Sequence, residues 1–108
     1  MTIKKKYSGG YRPAEEFLEK IAGPLTFGRM IESLRLCDEI SQMDLAKKVG
    51  ISKAQLCDIE KGRRQVSPER AAKFAKVMRY SIHQFVALAI EDQLRKAKLK
   101  FKVELKAA

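Results

Sequence analysis

The segment that follows Ser52 carries side chains of the types that contact nucleic-acid bases. Four of them occupy the start and the first turns of a predicted helix: Lys53, Ala54, Gln55 and Asp58. Lysine, glutamine and aspartate side chains make hydrogen bonds to base edges, and an alanine methyl group packs against the methyl group of thymine. This set indicates a helix that could present hydrogen-bonding groups to a DNA groove.

Residues on both sides of this helix are suited to phosphate groups. Gln42 and Ser52 stand at the start of two successive predicted helices, where a side chain or a backbone N–H group can bind an anion. Three cations follow the second helix, where the chain would meet the sugar–phosphate backbone: Lys61, Arg63 and Arg64. The combination predicts phosphate contacts that flank a base-contacting helix.

Two short helices joined by a tight turn are predicted to position these side chains. Residues 42–49 and 52–61 have helical patterns, and Gly50 lies between them, where a helix ends most easily in the left-handed conformation. The apolar residues of the shared inner face are Leu45, Val49, Ile51, Leu56 and Ile59. This pattern is typical of a helix-turn-helix. A helical hairpin without a nucleic-acid partner would use the same apolar residues, so the polar outer face distinguishes the two interpretations.

The charge of the chain favours a polyanionic partner. Lysine and arginine total 23 against 13 acidic residues in 108, which gives a formal net charge of +10. Residues 47–79 alone carry ten basic and three acidic residues, a net charge of +7. Small proteins this basic commonly bind nucleic acid, a membrane surface or an acidic protein. Charge alone does not distinguish a protein that binds one of these partners from a protein whose charged surface faces only solvent.

Other residue types narrow the class of protein. His83 is the single histidine, and with Cys37 and Cys57 it makes no familiar metal-ligand spacing. No catalytic Ser/His/Asp or Cys/His arrangement and no glycine-rich phosphate loop is evident, so we expect a non-enzymatic protein without a metal or cofactor. No apolar run approaches the roughly 20 residues that cross a bilayer, and MTIKKKYSGG lacks the apolar core of a signal peptide. We therefore expect no membrane partner and a cytoplasmic protein with reduced cysteines.

Further helices are predicted on both sides of the motif. Residues 27–37, 68–78 and 82–98 repeat apolar residues at helical spacing. Each follows a residue that can cap a helix, namely Thr26, Ser67 and Ser81, the last in a capping box with Gln84. Residues 13–22, PAEEFLEKIA, form a shorter predicted helix after a basic arm at 1–12.

The segment LKFKVEL, residues 99–105, alternates apolar and charged residues, which is typical of a β-strand. A single strand is marginal in water. It needs a partner, which could be a second subunit, another protein or the N-terminal arm. We hypothesise pairing with a two-fold mate in a dimer. Helical continuation is the alternative, because lysine, leucine and glutamate also favour helices.

These motifs resemble the Cro/C1-type (Xre) helix-turn-helix family of transcriptional regulators. The similar segments are Leu34-Arg35, SQMDLAKKVGIS at 41–52, LCDIEKGRR at 56–64 and SPERAAKFAKVM at 67–78. The resemblance implies an all-α, five-helix, lambda-repressor-like DNA-binding domain, dimeric on DNA, with the helix after Ser52 in the major groove. We expect this domain at residues 25–90, with the helix-turn-helix motif at 42–61.

The resemblance also assigns roles to individual residues. Arg35 and Glu60 occupy positions that form a buried ion pair in the family, so we expect Glu60 to be structural. Asp58 departs from the rest, because a carboxylate accepts a hydrogen bond from cytosine but repels phosphate. The DNA-contacting set implied by the resemblance is Gln42, Ser52, Lys53, Ala54, Gln55, Asp58, Lys61, Arg63 and Arg64.

We therefore predict a sequence-specific DNA-binding transcriptional regulator, a repressor that binds a palindromic operator as a homodimer through the major groove. The alternative is an antitoxin of a type II toxin–antitoxin pair, which neutralises a toxin and represses its own operon. Residues 1–24, a basic arm and short helix, and residues 91–108, a helix end with the strand at 99–105, motivate the alternative. A minimal helix-turn-helix module needs neither segment. The expected partners are double-stranded DNA, a second copy of the chain and, in the alternative, a toxin protein.

Overall fold

The computed structural model describes the backbone of residues 2–5, together with residues 23 and 25–106. Within that part of the chain, five helices and two short strands follow one another: β1 Thr2–Lys5, α1 Phe27–Cys37, α2 Gln42–Val49, α3 Lys53–Glu60, α4 Pro68–Met78, α5 Ile82–Lys96 and β2 Phe101–Glu104. The predicted all-α, five-helix architecture is confirmed. The helix predicted at 13–22 and most of the arm predicted at 1–12 lie outside the described residues.

A side-chain oxygen caps the N-terminus of each of these five helices. Thr26, Ser41, Ser52, Ser67 and Ser81 each accept a hydrogen bond from the backbone N–H three residues later. Such a cap satisfies a backbone donor that has no partner inside the helix. The eight-residue helices α2 and α3 depend on these caps and on packing, because helices this short are marginal alone.

The turn between α2 and α3 reverses the chain at Gly50. Gly50 has a φ of 86°, in the left-handed region that glycine adopts most easily, and its N–H donates to the Ala46 carbonyl oxygen at 2.8 Å. The N–H of Ile51 donates to the same oxygen at 3.0 Å, and its side chain packs against the core. The helix-turn-helix therefore forms as predicted.

Three phenylalanine rings join the first helix to the last two. Phe27 of α1 packs edge-on against Phe74 of α4 at 5.6 Å and against Phe85 of α5 at 5.9 Å between ring centres. Around them lie the other residues of the same buried apolar cluster: Ile31, Leu45, Ala46, Val49, Leu56, Ile59, Val66, Ala71, Ala75, Met78, Leu88 and Ala89. Because all five helices contribute, the helix-turn-helix is part of one continuous core.

The alternating segment near residue 100 forms β2, which pairs antiparallel with β1. The register places Ile3 opposite Val103 and Lys5 opposite Phe101. Val103 is buried where β2 packs against α5. In this structure the strand therefore pairs with the N-terminal arm, which is one of the three partners considered from the sequence. Helical continuation is wrong, because α5 ends at Lys96 and Lys98 turns the chain with a φ of 64°.

Gly28 lets α1 approach the end of α3 more closely than a residue with a Cβ atom would. A Cβ atom on Gly28 would lie 2.0 Å from the carbonyl oxygen of Ile59 and 3.0 Å from that of Glu60. Both carbonyl groups belong to the last turn of α3, so relief of the clash would displace the helix-turn-helix. Glycine is therefore required at position 28 because there is no space for a Cβ atom.

Replacing Gly28 by alanine should lower the free energy of unfolding by about 3 kcal/mol, because the added methyl group separates α1 from α3. Urea denaturation measures the loss. Gly62→Ala is the matched control: Gly62 has a φ of 78° but no atom within 4 Å of its Cβ position, so only backbone strain is expected there. That strain costs about 1 kcal/mol. Equal losses in the two variants would contradict the steric explanation.

Glu91 holds β2 against α5 from a position largely withdrawn from water. Its Oε1 atom accepts the Val103 N–H at 3.3 Å and lies 4.0 Å from the Lys102 Nζ atom. Burial raises the pKa of Glu91 above its ordinary value, and the Lys102 charge and the Val103 N–H oppose that rise only in part. The folded protein therefore binds a proton at Glu91 more tightly than the unfolded chain does.

The contribution of Glu91 to stability should be fully present below its ordinary pKa of 4.5 and should be lost as the pH rises through the higher pKa of the folded state. Glu91→Gln keeps an acceptor for the Val103 N–H but cannot ionise, so this variant should lose that part of the pH dependence. Urea unfolding at several pH values measures the difference. A Glu91→Gln curve parallel to the wild type would contradict the assignment.

Candidate nucleic-acid interface

Helix α3 presents one face to the core and the opposite face to solvent. Leu56 and Ile59 are buried, whereas Lys53 and Ala54 are exposed and Asp58 is half-buried. The exposed pair lies in the first turn of α3, directly after the tight turn from α2. These side chains are therefore accessible to a groove of DNA.

Ser52 and Gln55 bind each other at the start of α3. The Ser52 Oγ atom accepts the Gln55 N–H at 3.0 Å, and the Ser52 N–H donates to the Gln55 Oε1 atom at 3.0 Å. This is a full capping box. The predicted capping box of Ser81 and Gln84 has only its serine half among the described hydrogen bonds. The Gln55 oxygen is engaged in the cap, so a base contact by Gln55 would use its amide nitrogen as a donor.

Arg35 and Glu60 meet beneath α3 in a two-pronged ion pair. Arg35 Nε donates to Glu60 Oε2 at 2.8 Å, and Arg35 Nη2 donates to Glu60 Oε1 at 3.2 Å. The two side chains are 10% and 0% exposed. The hydrogen bond to Glu60 raises the pKa of Arg35, so the guanidinium group stays charged. The ion pair implied by the resemblance is thus present, and Glu60 has a structural role.

Gln42 connects this ion pair to the surface. Its Nε2 atom donates to Glu60 Oε1 at 2.8 Å, and its side chain is partly exposed. The sequence assigned Gln42 to a phosphate group, whereas in the free protein its amide group binds Glu60. An amide nitrogen carries two N–H groups. A phosphate bound by the second one would be linked through Gln42 to the buried ion pair.

The end of α3 has a fixed backbone geometry. Gly62 is left-handed, its N–H donates to the Ile59 carbonyl oxygen at 3.1 Å, and the Arg63 N–H donates to the Asp58 carbonyl oxygen at 2.8 Å. These two bonds define a Schellman motif. The motif holds the exposed cations Lys61, Arg63 and Arg64 close to the C-terminal end of α3.

Two cations of α5 join this group across a cleft of about 210 Å³. The cleft lies between the start of α1, residues 62–66 and the end of α5, and its charged lining residues are Arg64, Asp92, Arg95 and Lys96. Asp92 is neutralised, because its Oδ1 atom accepts Arg95 Nη1 at 2.8 Å and its Oδ2 atom accepts the Phe27 N–H at 2.8 Å. Arg95 and Lys96 were not singled out from the sequence. In the sequence, the only feature that pointed to them was a basic run at 95–106. Their position near Arg64 depends on the fold.

The chain matches the helix-turn-helix family HTH_3 over residues 31–85, from α1 to the start of α5. The chain belongs to this family. HTH_3 proteins are DNA-binding regulators and not enzymes, so the chain is a DNA-binding transcriptional regulator. Among the described residues, no helix is long and apolar enough to cross a membrane. The described side chains also include no group of three or more potential metal ligands.

Solved structures of transcriptional regulators are similar to this HTH_3 chain. The clp gene regulator ClgR from Corynebacterium glutamicum is 25% identical over 59% of this chain and 83% of its own, with a TM-score of 0.53. An HTH_3 family transcriptional regulator from Vibrio cholerae is 28% identical over 63% of this chain and 37% of its own, with a TM-score of 0.51. The hypothetical transcription factor NHTF from Neisseria shares the fold at 18% identity, over 81% of this chain and 91% of its own, with a TM-score of 0.52. No curated protein matches the chain.

Removing the carboxylate of Glu60 should strongly destabilise this HTH_3 domain. Glu60→Ala leaves the Arg35 guanidinium buried without its counter-charge, and such a loss costs about 3–5 kcal/mol. Arg63→Ala, which breaks the exposed pair with Asp58, should cost less than about 1 kcal/mol. Urea denaturation compares the two variants. The double variant Arg35→Met/Glu60→Leu should recover much of the lost stability, and a Glu60→Ala loss as small as that of Arg63→Ala would refute the structural role.

Proposed function

We propose that this regulator binds a palindromic operator as a homodimer and represses the promoter that contains it. In this proposal α3 enters the major groove of each half-site. The observation that carries it is the accessible first turn of α3, with Lys53 and Ala54 exposed and with Lys61, Arg63 and Arg64 at the opposite end of the helix.

Affinity and selectivity come from different residues in this proposal. The cations at the end of α3 neutralise phosphates and release counterions, so the logarithm of the binding constant should fall with the logarithm of the salt concentration. The nearby Arg95 and Lys96 could extend this phosphate-binding surface. Lys53, Gln55 and Asp58 supply selectivity through hydrogen bonds to base edges.

The length of α3 supports a dimer. A helix of eight residues is about 12 Å long, which corresponds to only three or four base pairs at 3.4 Å each. So few base pairs do not mark a unique site in a genome. Two copies related by a two-fold axis would contact half-sites about one helical turn apart and double the recognised sequence.

Repression needs no chemical step in this proposal. A dimer bound across a promoter occupies the DNA that the transcription machinery must contact. Since the partner is genomic DNA, we also propose that the protein acts in the cytoplasm of a bacterial cell. Corynebacterium glutamicum and Vibrio cholerae, the sources of two similar structures, are bacteria.

An antitoxin is the second candidate function. It rests on residues 1–24 and 91–108, which lie outside the family match at 31–85. Much of the second segment has a role within the fold, because residues 91–96 complete α5 and β2 packs on that helix with Val103 buried. This observation favours the regulator without a toxin. A toxin encoded beside the gene that co-purifies with the protein would favour the antitoxin.

Lys53→Ala should lower the affinity for the specific site roughly tenfold and leave the affinity for random DNA nearly unchanged, because a base contact is lost and the phosphate contacts remain. Titration of the protein against its own upstream DNA and a random duplex, at two salt concentrations, measures both effects by fluorescence anisotropy.

Lys76→Ala is the charge-matched control for this titration. The first turn of the eleven-residue helix α4 follows the cations at the end of α3. Lys76 lies in the last turn of α4, at the other end of this helix. The control should keep the preference of the wild type for its own upstream DNA. Binding that is indifferent to sequence in the wild type, or an equal loss of preference in both variants, would contradict groove recognition by α3.

A further inference from the structure

Asp58 and Arg63 form an ion pair on the surface that the proposed complex places against DNA. Arg63 Nη1 lies 3.4 Å from Asp58 Oδ1, and the side chains of Arg63 and Asp58 are 68% and 39% exposed. The Schellman motif brings these residues together, because the Arg63 N–H is bonded to the Asp58 carbonyl oxygen at 2.8 Å. The backbone at the end of α3 therefore keeps the guanidinium group close to the carboxylate.

The stability of α3 does not explain a carboxylate at position 58. Asp58 lies in the last turn of α3, where the negative end of the helix dipole disfavours an acidic side chain. An exposed ion pair contributes little to stability. A carboxylate beside the phosphate-binding cations also reduces the affinity for DNA of any sequence. The position of Asp58 is therefore unfavourable for general DNA binding and for the helix itself.

We infer that Asp58 sets sequence selectivity by holding Arg63 away from phosphate until a cytosine of the cognate half-site binds the carboxylate. This inference rests on the proposed function. On other sequences the pair stays closed, so the complex loses both a base contact and a phosphate contact. On the cognate site the cytosine N4 amino group donates to Asp58, and Arg63 moves to a neighbouring phosphate. Because the pair is exposed, the free energy needed to open it is modest, and one base contact together with one phosphate contact offsets it on the cognate site.

The first test is the base preference of the protein. The wild type, Asp58→Asn and Asp58→Ala would each select sites from duplexes with a randomised segment. The wild type should select cytosine at one position of each half-site. Asp58→Asn should select adenine there, because an asparagine amide pairs with the N6 and N7 atoms of adenine. Asp58→Ala should show no preference at that position and keep the rest of the site.

The second test separates the role of Arg63 from a general effect of charge. On a random duplex, Asp58→Ala should bind roughly three- to tenfold more tightly near 0.1 M salt than the wild type, with a salt slope steeper by about 0.9, because one more cation meets phosphate. In an Arg63→Ala background the same substitution should change the slope little. Asp44→Ala, which removes an exposed acid from α2, is the charge-matched control and should leave the slope unchanged.

The outcomes distinguish this inference from the proposed function. A wild-type selection without a consensus would overturn both. A clear consensus that Asp58→Asn leaves unchanged would overturn the inference alone. A salt slope that rises equally in Asp58→Ala, with or without Arg63, would also overturn it, because the effect would then be long-range charge. Urea denaturation of Asp58→Asn should match the wild type, which assigns any change in binding to the interface.

Discussion

The buried ion pair of Arg35 and Glu60 determines where α3 lies relative to the other helices. A charge withdrawn from water is tolerated only when its partner and its remaining hydrogen bonds are in place. Here α1 supplies the arginine, α3 supplies the glutamate, and Gln42 of α2 donates to the same carboxylate. Displacement of α1 or α3 would leave a charge unpaired, and displacement of α2 would remove a hydrogen bond from the buried carboxylate. The exposed side chains of α3 are thus presented by a support that resists movement, as accurate recognition requires.

A steric constraint reinforces this electrostatic one. Gly28 brings α1 against the last carbonyl groups of α3, so the same two helices are held by close packing as well as by charge. Much of the candidate interface is also internally bonded before DNA arrives. Ser52 pairs with Gln55 at the start of α3, and the Schellman motif fixes the backbone at the end of α3. Such preorganisation lowers the entropy lost on binding, because fewer side chains remain to be ordered.

The sequence predicted those features whose causes are local. The Ser67-Pro68 start of α4, the Gly50 turn and the apolar period of α1 each act within a few residues, and the helices formed where those signals stand. The prediction that Arg35 pairs with Glu60 came only from the family resemblance, since nothing in the sequence around either residue indicates the other as its partner. The packing of Gly28, the partner of β2 and the cleft shared by Arg64 and Lys96 depend on which elements meet in three dimensions. Gln55 shows a different limit of prediction from sequence. A polar side chain at the start of a helix can either cap the helix or contact a ligand, and the sequence does not distinguish the two roles.

The pairing of β1 with β2 has a consequence for the order in which the molecule assembles. The two strands come from opposite ends of the described chain, whereas α2, its turn and α3 interact with neighbours in sequence. Contacts between distant segments require the largest loop closure, so they form after local ones. The helical core can therefore condense first, with the strand pair added to the surface of α5 as a late event. Because the strand pair packs mainly on α5, its opening would disturb the helix-turn-helix less than the opening of any element of the helical core would.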